Sequence, residues 1–149
     1  MSSRSSVTEI LPGLWIGDTT AVNDKNFIDT KQIQMVINCS NYPHVPDDPN
    51  LQIKYRLQIA PRYTCDQYPS ISRILDETCQ LIQKHINMYN LLIYCQDGNL
   101  RAPLIVIVYL IKYGGMDATH AIECLQSKRV EICTTYLPLI KWYQSNLGR

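Results

Sequence analysis

Two apolar runs separated by a short polar loop constrain this chain more than anything else in it. The first is Leu91-Leu92-Ile93-Tyr94 and the second extends from Ala102 to Ile111. Between them stand Cys95-Gln96-Asp97-Gly98-Asn99-Leu100-Arg101. A short apolar run, a glycine-containing loop and a longer apolar run read as a buried strand, a tight turn and a buried helix. The second run contains Pro103 and is too short to cross a bilayer. A strand and a helix this apolar both need cover, so the rest of the chain must supply further layers.

The remaining sequence does so by alternation. Val7–Ile10 and Leu14–Gly17 read as a hairpin about the Leu11-Pro12-Gly13 turn. Asp18 or Thr19 is placed to cap a short helix reaching Phe27 and Ile28. Gln34–Asn38 suits a buried strand, and residues 40–50, with Pro43, Pro46 and Pro49, must be loop. Leu51, Ile53, Tyr55, Leu57 and Ile59 alternate with polar residues as a strand does. After a loop from Ala60 to Pro69, Ser70 is expected to cap a helix with Ile71, Ile74, Leu75, Cys79, Ile82 and Ile86 on its apolar face. Gly114-Gly115 should end the helix that starts near Ala102. Asp117 should cap the next, with Ala121, Ile122 and Leu125 inward, and a last helix should begin near Thr135 with Pro138 in its first turn. The expectation is an α/β fold with a central, mostly parallel, twisted sheet flanked by helices. Residues 1–6 are expected to be disordered, and residues 7–149 to form a single domain.

In such sheets ligands bind beyond the carboxyl ends of the strands, which is where Cys95 falls. The loop from Gln96 to Leu100 enters a helix, so its backbone N–H groups converge and the helix terminus adds positive potential. Gly98 supplies the conformational freedom that such a loop requires. Arg101 can grip two oxygens of a phosphate through its planar fork. The same positive surroundings suit a thiolate nucleophile at Cys95. A thiol and an arginine around a phosphate-shaped cradle imply covalent phosphoryl transfer to sulfur.

Composition narrows the partners. Net charge is +1 over 149 residues, which gives no broad electrostatic footprint for nucleic acid or an anionic membrane. The six cysteines contain no C-x-x-C pair and no metal-ligand spacing. Without a signal peptide, the expectation is a reducing, cytoplasmic setting with access to the nucleus, free thiols, and no membrane association. A homodimer is compatible with the sequence.

The order of these motifs resembles the dual-specificity protein phosphatases of the cysteine-based tyrosine phosphatase superfamily, from Ile10 to about Tyr143. Ile10-Leu11-Pro12-Gly13-Leu14-Trp15-Ile16-Gly17-Asp18 is similar to the family's first hairpin. Val36-Ile37-Asn38-Cys39-Ser40 is similar to its next strand, whose asparagine supports the active-site loop, the role implied for Asn38. Cys95 to Arg101 fits the C-x5-R signature, and Lys128-Arg129 falls among the matching later segments. The resemblance implies a dual-specificity-phosphatase-like fold with the phosphate-binding loop between a strand and the central helix. It also implies a two-step reaction without metal or cofactor on a phosphorylated protein. Cys95 would attack phosphorus, Gln96, Asp97, Gly98, Asn99, Leu100 and Arg101 would bind the phosphate, and a loop aspartic acid would protonate the leaving oxygen. Counting back from Cys95 points to Asp66 for that acid.

The chain departs from the family pattern in three ways. Tyr94 stands where histidine is usual, Ala102 stands where serine or threonine is usual, and no aspartate falls at the position aligned from Leu57-Gln58-Ile59. The functional expectation is hydrolysis of phosphotyrosine and of phosphoserine or phosphothreonine with reduced turnover. The alternative is a catalytically impaired pseudophosphatase that binds phosphorylated partners. An RNA 5′-phosphatase or a phosphoinositide phosphatase is a lesser reading, because the cradle has no lysine to meet extra phosphates.

Overall fold

The expected hairpin is present, and each of its strands runs one residue further than the sequence implied. β1 (Val7–Leu11) pairs antiparallel with β2 (Leu14–Asp18) in a computed structural model that describes residues 7–96, 101–128 and 130–147. Residues 1–6, the cradle residues Asp97, Gly98, Asn99 and Leu100, and Arg129 lie outside the described residues. The turn depends on Gly13, whose φ of +83° disfavours any side chain.

The chain divides into two compact units. The first holds the described residues up to Ile59 and those of His85–Ala102. Its five-stranded sheet also contains β3 (Ile33–Asn38), β4 (Ile53–Arg56) and β5 (Asn90–Cys95), in the order β1-β2-β5-β3-β4. All pairings except β1 with β2 are parallel. β5 is therefore central and covered on both faces, which is why it is nearly all apolar.

Two short helices cover one face of this sheet. α1 (Thr19–Val22) is capped by Asp18 and α2 (Lys25–Thr30) by Asp24. The sequence implied one helix; Asn23-Asp24 breaks it in two because Asp24 accepts the Phe27 N–H and starts a second. Ala21, Val22, Phe27 and Ile28 pack there with Ile33, Val36, Leu92 and Tyr94. Trp15 meets Phe27 edge to face at 5.3 Å. The proline-rich segment between β3 and β4 returns over the same cluster, burying Leu51 with Val45 against it. This crossover needs no helix because it is long enough to return the chain parallel. β4 is shorter than its alternation suggested. It is an edge strand that pairs only with β3, and the Leu57 N–H reaches the last carbonyl of that partner, on Asn38, at 2.9 Å.

The second unit holds Ala60–Lys84 and the described residues from Pro103 onward. α3 (Tyr68–His85) begins earlier than the Ser70 cap implied. Thr64 and Gln67 form a capping box around the 3-10 turn Cys65–Gln67, which leads directly into α3. Pro69 then falls in the first helical turn, where no N–H is needed. Ile71, Leu75, Cys79 and Ile82 are buried as expected, whereas Ile74 is exposed.

α4 (Ala102–Tyr113) is buried all round from Ala102 to Ile111, as its unbroken apolar run requires. It stops where Gly115 takes φ +68° and the Met116 N–H reaches back to the Leu110 carbonyl at 3.3 Å. α5 (Ala118–Ser127) has Asp117 as its cap, as expected, and buries Ala121 and Leu125; Ile122 is only half-buried. α6 (Leu137–Ser145) carries Pro138 in its first turn. Asp76 of α3 accepts the Tyr143 hydroxyl at 2.5 Å and faces Lys112 at 3.4 Å, tying α3 to α4 and α6. Among the described residues no helix is long and apolar enough to cross a membrane.

Candidate active site

Cys95 is the last residue of the central strand. Its neighbours across the sheet are Asp18 on β2 and, beyond the Asn38–Tyr94 pair, Cys39 at the end of β3. Side chains alternate along a strand, so Tyr94 joins the cluster under α1 and α2 while Cys95 lies on the other face. Its thiol is buried, with 1% of the residue exposed. The Ala102 N–H, first of α4, points at the Cys95 sulfur with nitrogen and sulfur 3.5 Å apart. An N–H at a helix terminus favours negative charge on the atom it faces. This contact joins the two ends of the seven-residue loop, and Gln96 between them is exposed.

Arg101, half-buried, directs Nη1 to the side-chain carbonyl of Asn41 at 2.6 Å. Asn41 belongs to a turn at the end of β3 that the side chains of Asn38 and Ser40 build. Asn38 Oδ1 accepts the Ser40 N–H at 2.9 Å and its hydroxyl at 2.6 Å, and Asn38 Nδ2 donates to the Tyr42 carbonyl at 2.8 Å. The Ser40 hydroxyl lies 2.9 Å from that carbonyl and 3.2 Å from the Tyr42 nitrogen. Arg56 Nη2 adds longer contacts of 3.4 Å to the Ser40 and Asn41 carbonyls. Asn38 is fully buried and has no freedom to turn elsewhere. The described side-chain hydrogen bonds of Asn38 are thus to the turn that carries Asn41, and Asn41 touches the arginine.

Cys39 is fully buried beside these groups. Burial pushes its thiol well above the ordinary value, the nearby Cys95 adds to that, and Arg101 opposes it. Cys39 is therefore held as a neutral neighbour. Burial also pushes the Tyr94 phenol up. Its hydroxyl has no hydrogen-bond partner among the described residues. Tyr94 consequently behaves as a core residue of the cluster under α1 and α2.

Asp66 belongs to the second unit, whereas Cys95, Arg101 and Asn38 belong to the first. It is exposed, lies in the 3-10 turn before α3, and accepts the Thr64 hydroxyl. The side chains brought together are thus Cys95 with the Ala102 amide, and Arg101 with the turn built on Asn38. Asn41, Ser40 and Arg56 are the residues that sequence reasoning did not single out. Asn-x-Ser before a proline-rich loop does signal a side-chain-built turn. Its partner Arg101 lies 60 residues away, and no local pattern links them.

The arrangement can hold an anion between a thiol, a helix terminus and a guanidinium. Comparisons with known proteins identify the family and the fold. The chain is 29% identical to Dual specificity protein phosphatase 1B of Arabidopsis thaliana over 132 residues, covering 87% of this chain and 75% of that one. It is 27% identical to MAP kinase phosphatase with leucine-rich repeats protein 3 of Dictyostelium discoideum, where the match covers 84% of this chain but only 14% of that protein. Its fold is similar to that of human DUSP28, with a TM-score of 0.81 at 18% identity, covering 96% and 95% of the two chains. The family described as "Dual specificity phosphatase, catalytic domain" matches residues 14–145, and the chain belongs to that family.

Proposed function

We propose that this chain hydrolyses phosphomonoesters on proteins, phosphotyrosine first and phosphoserine or phosphothreonine as well, through a cysteinyl-phosphate. The observation that carries the reading is the Ala102 N–H directed at Cys95 Sγ, beside an arginine already anchored at 2.6 Å. In the first step the Cys95 sulfur forms a bond to phosphorus and the bond to the ester oxygen breaks. Arg101 and the loop amides take up charge on the other phosphate oxygens. Asp66 donates the proton that the leaving oxygen needs. In the second step water attacks phosphorus and the sulfur leaves as thiolate. Asp66 accepts the water's proton, restoring both groups.

Ala102 makes the second step the slower one. Its backbone donates to the sulfur, but its side chain has no hydroxyl to assist departure. The competing reading, a pseudophosphatase that binds phosphorylated partners without turnover, rests on the same residue and on Tyr94.

The test compares the wild type with Cys95→Ser on an aryl phosphate and on a phosphotyrosine peptide. Turnover in the wild type alone supports the hydrolase. A stoichiometric burst followed by a stall, relieved by Ala102→Ser, identifies the second step as limiting. No product from the wild type on either substrate, with phosphopeptide retained by both proteins, would replace the hydrolase by the pseudophosphatase. Asp66→Ala should slow esters with poor leaving groups far more than those with good ones; equal effects would remove it from the reaction.

A further inference from the structure

We propose that Asn41 is a positioning residue for Arg101, a role that rests on the hydrolase reading above and specifies how its arginine is aimed. The side-chain carbonyl of Asn41 accepts from Arg101 Nη1 at 2.6 Å, and Asn41 stands on a turn with little freedom. Asn38 and Ser40 tie that turn together with three side-chain hydrogen bonds no longer than 2.9 Å. Arg56 reaches its outer carbonyls. The buried end of β3 is therefore linked, through Asn38, Ser40 and Asn41, to the guanidinium at the mouth of α4.

The chemistry of the acceptor matters. An arginine on a partly exposed surface samples many rotamers, and a productive fork needs one of them. A single acceptor on a fixed turn selects an orientation and uses one of five N–H donors, leaving the others for phosphate oxygens. A carboxylate in that place would also orient the arginine, but it would cancel part of the charge that the phosphate must meet. Asn41 is neutral, so the guanidinium keeps its full charge toward the anion. Its own side chain is exposed, and no other hydrogen bond depends on it among those described, so its replacement leaves the turn's framework intact.

The experiment measures kcat and KM on an aryl phosphate, together with the Kd for inorganic tungstate, a phosphate-shaped oxyanion. Asn41→Leu, close in size but without an acceptor, should weaken tungstate binding and lower kcat/KM by about tenfold each, the scale of a lost hydrogen bond to a charged group. Asn41→Asp keeps an oxygen in the same place and should exceed Asn41→Leu in kcat/KM while staying below the wild type, because its charge offsets part of the arginine's. In an Arg101→Lys background, Asn41→Leu should have little further effect, because its action runs through the guanidinium. Leu and wild type alike in both measurements, or losses that simply add in the Arg101→Lys background, would overturn the assignment. A wild type that neither turns over nor binds tungstate overturns the hydrolase reading and this assignment with it. A wild type that binds tungstate without turnover overturns only the hydrolysis, and the tungstate arms still decide on Asn41.

Discussion

Tyr94 and Cys95 are neighbours in sequence and point to opposite faces of the sheet, which decides what each can do. The tyrosine hydroxyl is buried under α1 and α2 without a hydrogen-bond partner among the described residues, an arrangement that costs free energy unless something compensates. Tyr94→Phe removes the hydroxyl and keeps the ring. Its urea-unfolding free energy should equal the wild type's or exceed it by up to about 1 kcal/mol. Because the ring faces away from Cys95, kcat/KM should stay within a factor of about two. A tenfold loss of activity in Tyr94→Phe would show that the hydroxyl serves the reaction after all. The same contrast marks how far the site was legible. Cys95 and Arg101 stood out by their spacing within one loop, and Asn38 only through the resemblance to the phosphatase family. Asn41 did not, because its function depends on a contact across 60 residues that only the folded sheet creates.

Elements were legible where one physical signal dominated. The unbroken apolar runs of β5 and α4 left no alternative to burial, and Asp117 capped α5 as expected. Where two signals competed, the sequence reading chose the nearer one. Ser70 lay close to the apolar stripe of α3 and was the obvious cap. The reciprocal pair Thr64 and Gln67 lies further back and satisfies two N–H groups instead of one. Thr64→Ala should therefore destabilise the protein by about 1 kcal/mol, while Ser70→Ala, inside the helix, should be neutral or slightly favourable. Urea titrations of the two variants check this. A larger loss at Ser70 than at Thr64 would restore the cap that the sequence alone suggested.

The titrating groups of the whole molecule are biased toward one side of neutrality, and this was invisible before burial was known. Burial pushes up the thiols of Cys39 and Cys79 and the phenols of Tyr94, Tyr109 and Tyr143. Each holds its proton more tightly folded than unfolded. Their contribution to stability is therefore complete below the ordinary thiol and phenol values of 9.0 and 10.0, and is lost as pH rises from those values toward the folded ones. Lys25, raised by Asp29 and Asp48, loses its contribution on the same side. Two carboxylates act in the opposite sense. Asp48 is lowered by the Asn50 N–H and Asp117 by the His120 N–H. Their contribution is present above the ordinary carboxylate value of 3.8 and is lost as pH falls through the folded values. Among these groups the acid arm thus rests on two carboxylates with ion-pair partners, whereas the alkaline arm rests on five groups inside the core together with the exposed Lys25. The urea midpoint should be nearly level from about pH 5 to 8, decline on acidification below about 4, and fall more steeply above about 9. Midpoints measured at half-unit intervals across that range decide the matter. An equal midpoint at pH 8 and pH 10.5 would mean that these thiols and phenols are not held neutral by the fold. Cys39→Ala and Tyr94→Phe should each flatten the alkaline arm, because each removes one of the protons that the unfolded chain gives up more readily.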